Sequence, residues 1–243
     1  MKLLTVGNPK VMKGMTQGYM TYILHLAPAN LSGYETCPKR TAGCTAACLN
    51  TAGRGGMFKP GGTNTIQEAR KRKTRLFFEN RIEFFDQLID DIAAAIRQSK
   101  KKGLIPVFRL NGTSDLAFEK YDVTADGKNI FEMFPDVQFY DYTKILGRKV
   151  GAIKNYHLTF SAADGNDKDV AKAIEQGYNV ATVFGLKKTQ PMPETYMGRT
   201  VFNGDDSDLR FLDPKGVVVG LYAKGRAKKD TSGFVKMIPI RAE

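Results

Sequence analysis

The chain has 243 residues, of which 42% are hydrophobic and 26% charged, with 24 glycines and 10 prolines. This composition is that of an ordinary globular protein, and it excludes collagen, a coiled coil and a wholly disordered chain. Lys and Arg number 37 against 25 Asp and Glu, and the resulting net charge of +12 makes nucleic acid a partner to consider.

The length and hydropathy of the chain limit the classes of protein to which it can belong. No apolar run approaches the roughly 18 residues of a membrane span. The first residues reach Gly7 and Pro9 too early for the apolar stretch of a signal peptide. We therefore expect a cytoplasmic protein outside the membrane. Because about 250 residues is typical of one α/β barrel, we also expect a single barrel-like domain over residues 1–243.

The first strong strand pattern, Tyr19–Leu26, is aromatic and β-branched and precedes all three cysteines. Cys37, Cys44 and Cys48 lie within one stretch of twelve residues, 37–48. An odd number of cysteines in a reducing compartment makes a disulfide framework the weakest explanation. The Ala-rich spacing predicts a helical turn with Cys44 and Cys48 on one face. The cluster therefore predicts a metal centre, and the alternative is that small side chains fill core space.

The choice of metal depends on the fourth ligand. Thiolates suit zinc or an iron–sulfur cluster. Structural zinc needs four protein ligands, and neither His25 nor His157 lies in a Cys/His zinc motif. A 4Fe–4S cluster held by three cysteines instead leaves one iron open to a substrate or cofactor. The sequence thus favours an iron–sulfur cluster, with zinc assisted by His25 as the alternative.

Residues 63–102 have the pattern of two helices, the second of which begins with a capping box at Asn80–Glu83. Five of the six residues from 70 to 75 are basic, too many for one solvated face. Either Arg70 and Lys73 extend along the apolar surface to reach water, or one of them points into a pocket and binds a carboxylate or phosphate.

Beyond these helices, apolar runs alternate with polar clusters and helical connections. The runs are 105–110, 137–140, 156–160, 178–184, 199–203 and 216–222. This alternation predicts βαβ units and a mainly parallel sheet, and about six or seven strands fit a full or partial (β/α) barrel. The active site of such a barrel lies at the carboxyl ends of its strands, where four polar residues occur in the sequence: Asn111, Asp115, Asp141 and Ser161.

A strand, a three-cysteine loop and a βα series with polar strand ends resemble the arrangement of radical S-adenosylmethionine enzymes. In that family three cysteines after the first barrel strand hold a 4Fe–4S cluster, usually with the spacing C-x3-C-x2-C, whereas the spacing here is C-x6-C-x3-C. The resemblance implies that Cys37, Cys44 and Cys48 bind the cluster and that S-adenosylmethionine binds its open iron. It further implies catalytic roles for Asp115 and Asp141 and cofactor contacts from Asn111, Thr113, Ser161 and Arg70.

The chain is also similar, over nearly its whole length, to a bacteriophage family labelled gene product 88. The segments that carry this similarity are 37–56, 109–115, 139–144 and 210–214. The resemblance implies that the protein acts in the cytoplasm of an infected bacterium, and it implies no particular chemistry.

Two other functions remain open from the residues. One is a basic phage protein that binds DNA or RNA phosphates through Arg70–Arg75, Lys100–Lys102 and Lys224–Lys229, while the cysteines hold a structural zinc or no metal. The other is a hydrolase that holds magnesium through acidic residues near the carboxyl end. These acidic residues are Asp205, Asp206, Asp208 and Asp213.

Overall fold

A computed structural model describes residues 1–6, 9–60, 62 and 64–238 of the chain. Its helices are α1 (Pro9–Met15), α2 (Ala42–Ala46), α3 (Thr65–Glu79), α4 (Arg81–Lys101), α5 (Ile130–Met133) and α6 (Asp167–Glu175). Its strands are β1 (Leu4–Thr5), β2 (Tyr19–Leu24), β3 (Ile105–Arg109), β4 (Gln138–Thr143), β5 (Tyr156–Ser161), β6 (Val180–Phe184), β7 (Thr195–Tyr196), β8 (Arg199–Asn203), β9 (Val218–Tyr222) and β10 (Val235–Lys236). Short 3₁₀ helices occur at Leu49–Thr51, Gly53–Gly56, Phe118–Lys120, Arg210–Leu212 and Gly225–Lys229.

The strands of the described ranges form one ten-stranded sheet in the order β1-β2-β3-β4-β5-β6-β9-β8-β7, with β10 paired to β6. From β2 to β8 along this order, each neighbouring pair is parallel. The outer strands β1 and β7 pair antiparallel with β2 and β8. The mainly parallel α/β sheet predicted from the sequence is therefore confirmed.

The full or partial barrel that the sequence pattern predicts is not confirmed. Among the described residues, the two outer strands β1 and β7 do not pair with each other, so the sheet stays open. Both strands are only two residues long and run antiparallel to their neighbours. Neither edge offers the long staggered ladder that closure of a barrel needs.

The carboxyl-terminal part of the chain fills a gap in the sheet. Strands β5 and β6 are paired only where Phe160 and Ser161 meet the first residues of β6. Strand β10 takes the next positions on β6, with Val235 opposite Val183 and Lys236 opposite Phe184. The sheet therefore separates between β5 and β6 towards its carboxyl edge, and β10 lies in the opening.

The two faces of the sheet are covered differently. Alternate strand residues such as Tyr22 and Phe108 contribute to the main core together with Phe84 and Leu88 of α4. The other face is covered by residues 207–213. There Leu209 packs against Val107 and Tyr140, and Arg109 of β3 forms a 2.8 Å ion pair with Asp208.

The predicted helical region is confirmed as α3 and α4, and Asn80 accepts a hydrogen bond from the Glu83 N–H at the start of α4. The basic run of α3 is used inside the protein. Lys73 is 6% exposed and donates to the Leu3 carbonyl at 2.6 Å, and burial lowers its pKa to about 8. None of the helices in the described ranges combines the length and apolar content that a membrane crossing needs.

The ion pair between Arg109 and Asp208 gives a test of this fold. We expect Asp208→Asn to lower the free energy of unfolding by about 3–5 kcal/mol, because it leaves a buried guanidinium without its counter-charge. Urea denaturation followed by circular dichroism measures the loss. The control is Asp126→Asn, since Asp126 pairs with Lys128 on the exposed surface and should contribute little. Equal stability of the two variants would contradict the role of the pair.

Candidate functional site

The segment that carries the three cysteines, residues 37–48, lies across the carboxyl edge of the parallel sheet. We call it the cysteine segment. At its start, Cys37 Sγ lies 3.9 Å from the carbonyl oxygen of Thr113, in the loop after β3. Near its middle, the Gly43 N–H donates to Asp164, in the loop after β5, at 3.0 Å. The cysteines thus occupy the edge where parallel α/β proteins build their sites.

Asp164 holds the cysteine segment in place. Its carboxylate accepts hydrogen bonds from the Thr41 hydroxyl, from the Gly43 N–H and from the Cys44 N–H. Partial burial raises the pKa of Asp164, but these hydrogen bonds outweigh it and the pKa is lowered overall. The sequence reasoning did not single out Asp164. The sequence did contain a signal for such an acceptor. Thr41 is a good helix N-cap, but one N-cap side chain leaves further N–H groups at the start of the helix without partners.

Gly43 is required by the close approach of three segments. A Cβ atom at this position would overlap the Ser232 hydroxyl oxygen and lie 2.6 Å from a carboxylate oxygen of Asp164. Cys44 directly follows Gly43, so the close packing at Gly43 fixes the position of Cys44. Only a residue without a side chain fits between Asp164 and the segment that contains Ser232.

The three thiols are neighbours. Helix α2 ends at Ala46, so Cys48 lies outside it and caps the next 3₁₀ helix, contrary to the single helical turn predicted for Cys44 and Cys48. Cys48 is within electrostatic reach of both Cys37 and Cys44. Burial raises the pKa of Cys37 and of Cys48; the charge of Cys48 adds to the shift of Cys37, and the charge of Cys44 adds to the shift of Cys48.

No metal site is preformed in this arrangement. Among residues 1–6, 9–60, 62 and 64–238, no group of three or more His, Cys, Asp or Glu side chains is placed to hold a metal ion.

A polar connection joins Cys48 to Arg70. The Asn50 N–H donates to Cys48 Sγ at 3.5 Å, and Arg70 of α3 donates to both the carbonyl and the side-chain oxygen of Asn50. Arg70 and Lys144 both lower the pKa of Cys48 against the larger effect of burial. Arg70 Nε is buried and has no hydrogen-bond partner in the described part of the chain. The site therefore has positive charge and an unused donor beside a thiol.

His25, the alternative zinc ligand, lies just after β2. Its Nδ1 atom is buried and lacks a hydrogen-bond partner among the described residues, and Gly112 packs closely against the ring. Burial and the nearby cations Arg70, Arg109 and Lys73 lower the pKa of His25 to about 3. The imidazole is neutral at physiological pH, which is the form that binds metals.

The polar residues after β3 build a rigid loop beside Cys37. Asn111 accepts from the Ser114 hydroxyl and the Leu116 N–H, and Thr113 donates to the Leu26 carbonyl. Asp115 is 8% exposed and accepts from Thr143 and from the Lys144 N–H. Burial raises the pKa of Asp115, and these donors act against the shift. Three of the predicted residues, Asn111, Thr113 and Asp115, thus lie together near the cysteine segment.

Asp141 and Ser161 are placed differently. Asp141 lies within β4 rather than after it, is fully buried, and accepts hydrogen bonds from the Asn111 N–H and the Tyr156 hydroxyl. Burial raises its pKa to about 6 against the effect of Arg109. Ser161 ends β5, and its carbonyl accepts from Asn166. The catalytic role of Asp141 and the cofactor role of Ser161 stay predictions.

The acidic residues of the alternative hydrolase site bind cations of the protein itself. Asp205 pairs with Lys224, Asp208 with Arg109, and Asp213 with Arg210. Asp206, the fourth of these residues, instead accepts a hydrogen bond from the Asn203 side chain. The pairs of Asp205 and Asp208 join residues 205–213 to Lys224, after β9, and to Arg109 of β3, whereas the pair of Asp213 lies within the segment.

With this geometry in place, comparison with known proteins decides the family. A family model described as gene product 88 matches residues 2–237, which is nearly the whole chain. The chain belongs to the gene product 88 family. The resemblance to this family is therefore confirmed, whereas the resemblance to radical S-adenosylmethionine enzymes gains no support from the match. No curated protein and no solved structure matches the chain.

The anchoring of the cysteine segment in this family member can be tested at Asp164. We expect Asp164→Ala to speed amide hydrogen exchange in residues 41–48, because the Gly43 and Cys44 N–H groups lose their acceptor. Hydrogen-exchange mass spectrometry measures this locally. The control is Asp167→Ala, which removes a largely exposed carboxylate of the neighbouring helix α6. Unchanged exchange in residues 41–48 of Asp164→Ala would disprove the anchor.

The raised pKa values of two thiols give a second test. We expect alkylation of Cys37 and Cys48 by iodoacetamide to reach half its maximal rate above the ordinary cysteine pKa of about 8.5, because only the thiolate reacts. Timed labelling over a range of pH, read by peptide mass spectrometry, gives the rate for each residue. The urea-unfolded chain is the control, and native midpoints no higher than the unfolded ones would contradict the prediction.

Proposed function

We propose that this protein is an iron–sulfur enzyme whose cluster is bound by Cys37, Cys44 and Cys48 at the carboxyl edge of the sheet. The observation that carries the proposal is that every cysteine of the chain lies in one anchored segment, with Cys48 in electrostatic reach of the other two. Thiol sulfur is the donor type that iron–sulfur clusters take in proteins.

The surroundings of the thiols support this ligand set. The Asn50 N–H already donates to Cys48 Sγ, and hydrogen bonds to sulfur are among the interactions that tune such clusters. Arg70 and Lys144 offset the negative charge that three thiolates bring to the site. Because burial raises the pKa of Cys37 and Cys48, both thiols lose protons on binding, and affinity for the cluster should rise with pH.

A 4Fe–4S cluster held by three cysteines leaves one iron open and supplies one-electron transfer there. We assign Arg70 to an anionic group of the cofactor or substrate, because it lies near Cys48 and its buried Nε lacks a hydrogen-bond partner among the described residues. Asp115 and Thr113 lie beside Cys37 on the same edge and are the residues we assign to substrate. S-adenosylmethionine as the cofactor stays a prediction.

A second candidate function, nucleic-acid binding, has its own observation. The exposed basic side chains Arg226, Lys228 and Lys229 form no ion pair among the described residues. In contrast, Arg70 and Lys73 of the other basic run are used in internal hydrogen bonds. The segment near the carboxyl end, together with the exposed Lys100–Lys102, therefore has charge available for phosphates.

Metal analysis tests the iron–sulfur proposal. We expect protein purified without oxygen to be brown and to contain about four iron and four sulfide per chain, the content of one 4Fe–4S cluster. Each of Cys37→Ala, Cys44→Ala and Cys48→Ala should lose most of this iron, because two thiols bind a cluster poorly. Iron, sulfide and zinc are measured by elemental and colorimetric analysis of the same samples.

The control is Thr45→Ala, which changes α2 beside Cys44 without removing a sulfur, and which should retain the iron. Circular dichroism of every variant separates loss of the cluster from loss of the fold. Stoichiometric zinc in place of iron, no metal at all, or iron that persists in the cysteine variants would overturn the proposal.

A further inference from the structure

A cleft lies between the carboxyl end of α2 and the segment that follows β9. Its volume is about 410 Å³, within the range of small-molecule sites. Ala46, the last residue of α2, and Ala47, which follows it, form one wall. The opposite wall consists of Arg226, Lys229, Asp230, Thr231 and Ser232.

The walls of the cleft are fixed by packing. Ala47 belongs to a small buried cluster with Ala223, Ala227 and Val235, which joins α2 to both ends of the opposite wall. The Ser232 hydroxyl lies directly against Gly43. The cleft is therefore bounded by elements anchored in the sheet, because Val235 lies in β10, which pairs with β6, and Ala223 directly follows β9.

Two cations converge on the cleft for a geometric reason. Residues 225–229 form a 3₁₀ helix, in which side chains three positions apart project in the same direction. Arg226 and Lys229 have this spacing, and both line the cleft. Lys228, on the same helix, does not line it. Neither Arg226 nor Lys229 has an ion-pair partner among the described residues.

Asp230, the acidic residue of the cleft, already accepts hydrogen bonds from its own turn. Asp230 accepts from the Ser232 hydroxyl at 2.6 Å and from the Val235 N–H at 2.9 Å. Its carboxylate is thereby committed to the turn that leads into β10, while the hydroxyl of Thr231 lies on the cleft wall. The cleft presents two positive charges and Thr231 to a ligand, against the single negative charge of Asp230, with Ala46 and Ala47 opposite them.

We propose that this cleft binds a phosphate group through Arg226 and Lys229. A guanidinium and an ammonium side by side match an anionic tetrahedral phosphate group, which accepts hydrogen bonds from both while a neighbouring hydroxyl donates a further one. The phosphate is either the terminal phosphate of a nucleotide or a phosphodiester of a polynucleotide. The proposal rests on the cleft alone and does not depend on a metal in the cysteine segment.

Isothermal titration in low salt tests the proposal on the full chain. The probes are AMP, adenosine and a twelve-residue oligothymidine without terminal phosphates. We expect Arg226→Ala/Lys229→Ala to weaken binding of AMP or of the oligonucleotide at least about tenfold. The matched control is Lys149→Ala/Lys154→Ala, which removes the same charge in the connection between β4 and β5 and should weaken binding less than about twofold. All four residues are exposed, and circular dichroism confirms that each variant is folded.

Each outcome has a defined meaning. Loss of AMP binding in the cleft variant identifies a terminal phosphate as the ligand. Loss of oligonucleotide binding, with a shallower dependence of log affinity on log salt by up to about two, identifies backbone phosphates. Equal weakening in the two double variants, binding of neither phosphate probe, or adenosine binding as tight as AMP would overturn the proposal. Because the titration needs no metal, its failure is separate from failure of the iron–sulfur proposal.

Discussion

The rest of this structure depends on one constraint, the parallel alignment of the strands β2, β3, β4, β5, β6, β9 and β8. It sends every strand's carboxyl end to the same edge, so the segments that follow β2, β3, β5 and β9 must pack against one another there. The cysteine segment is one of them. Its contacts with Thr113 and Asp164 are consequences of this crowding, and they give the segment a defined shape.

The positive charge of the chain is divided between interior and surface. Arg109 and Arg210 pair with aspartates under the face of the sheet that carries no long helix, and Arg148 pairs with Glu119. Lys73 donates a hydrogen bond to the backbone carbonyl of Leu3. A basic run in a sequence is therefore not the same as a basic surface, because a cation that gains a buried partner no longer offers its charge to an external phosphate.

Helix α2 connects the two candidate sites. One side of it meets Asp164 and carries Cys44, and its last residues form a wall of the phosphate cleft through Ala46 and Ala47. Small residues are what allow a helix of five residues to contact segments on several sides.

The sequence by itself determined the parallel α/β class, the two long helices and the grouping of the cysteines. These depend on periodicity and local spacing, which are visible within a few residues. Only the tertiary structure decided that the sheet stays open, that Asp141 is buried inside β4, and that Asp164 anchors the cysteine segment. Each of these depends on residues far apart in the chain, such as Thr41 and Asp164. Their meeting follows from strand order, and strand order is set by the packing of the whole sheet rather than by any local pattern.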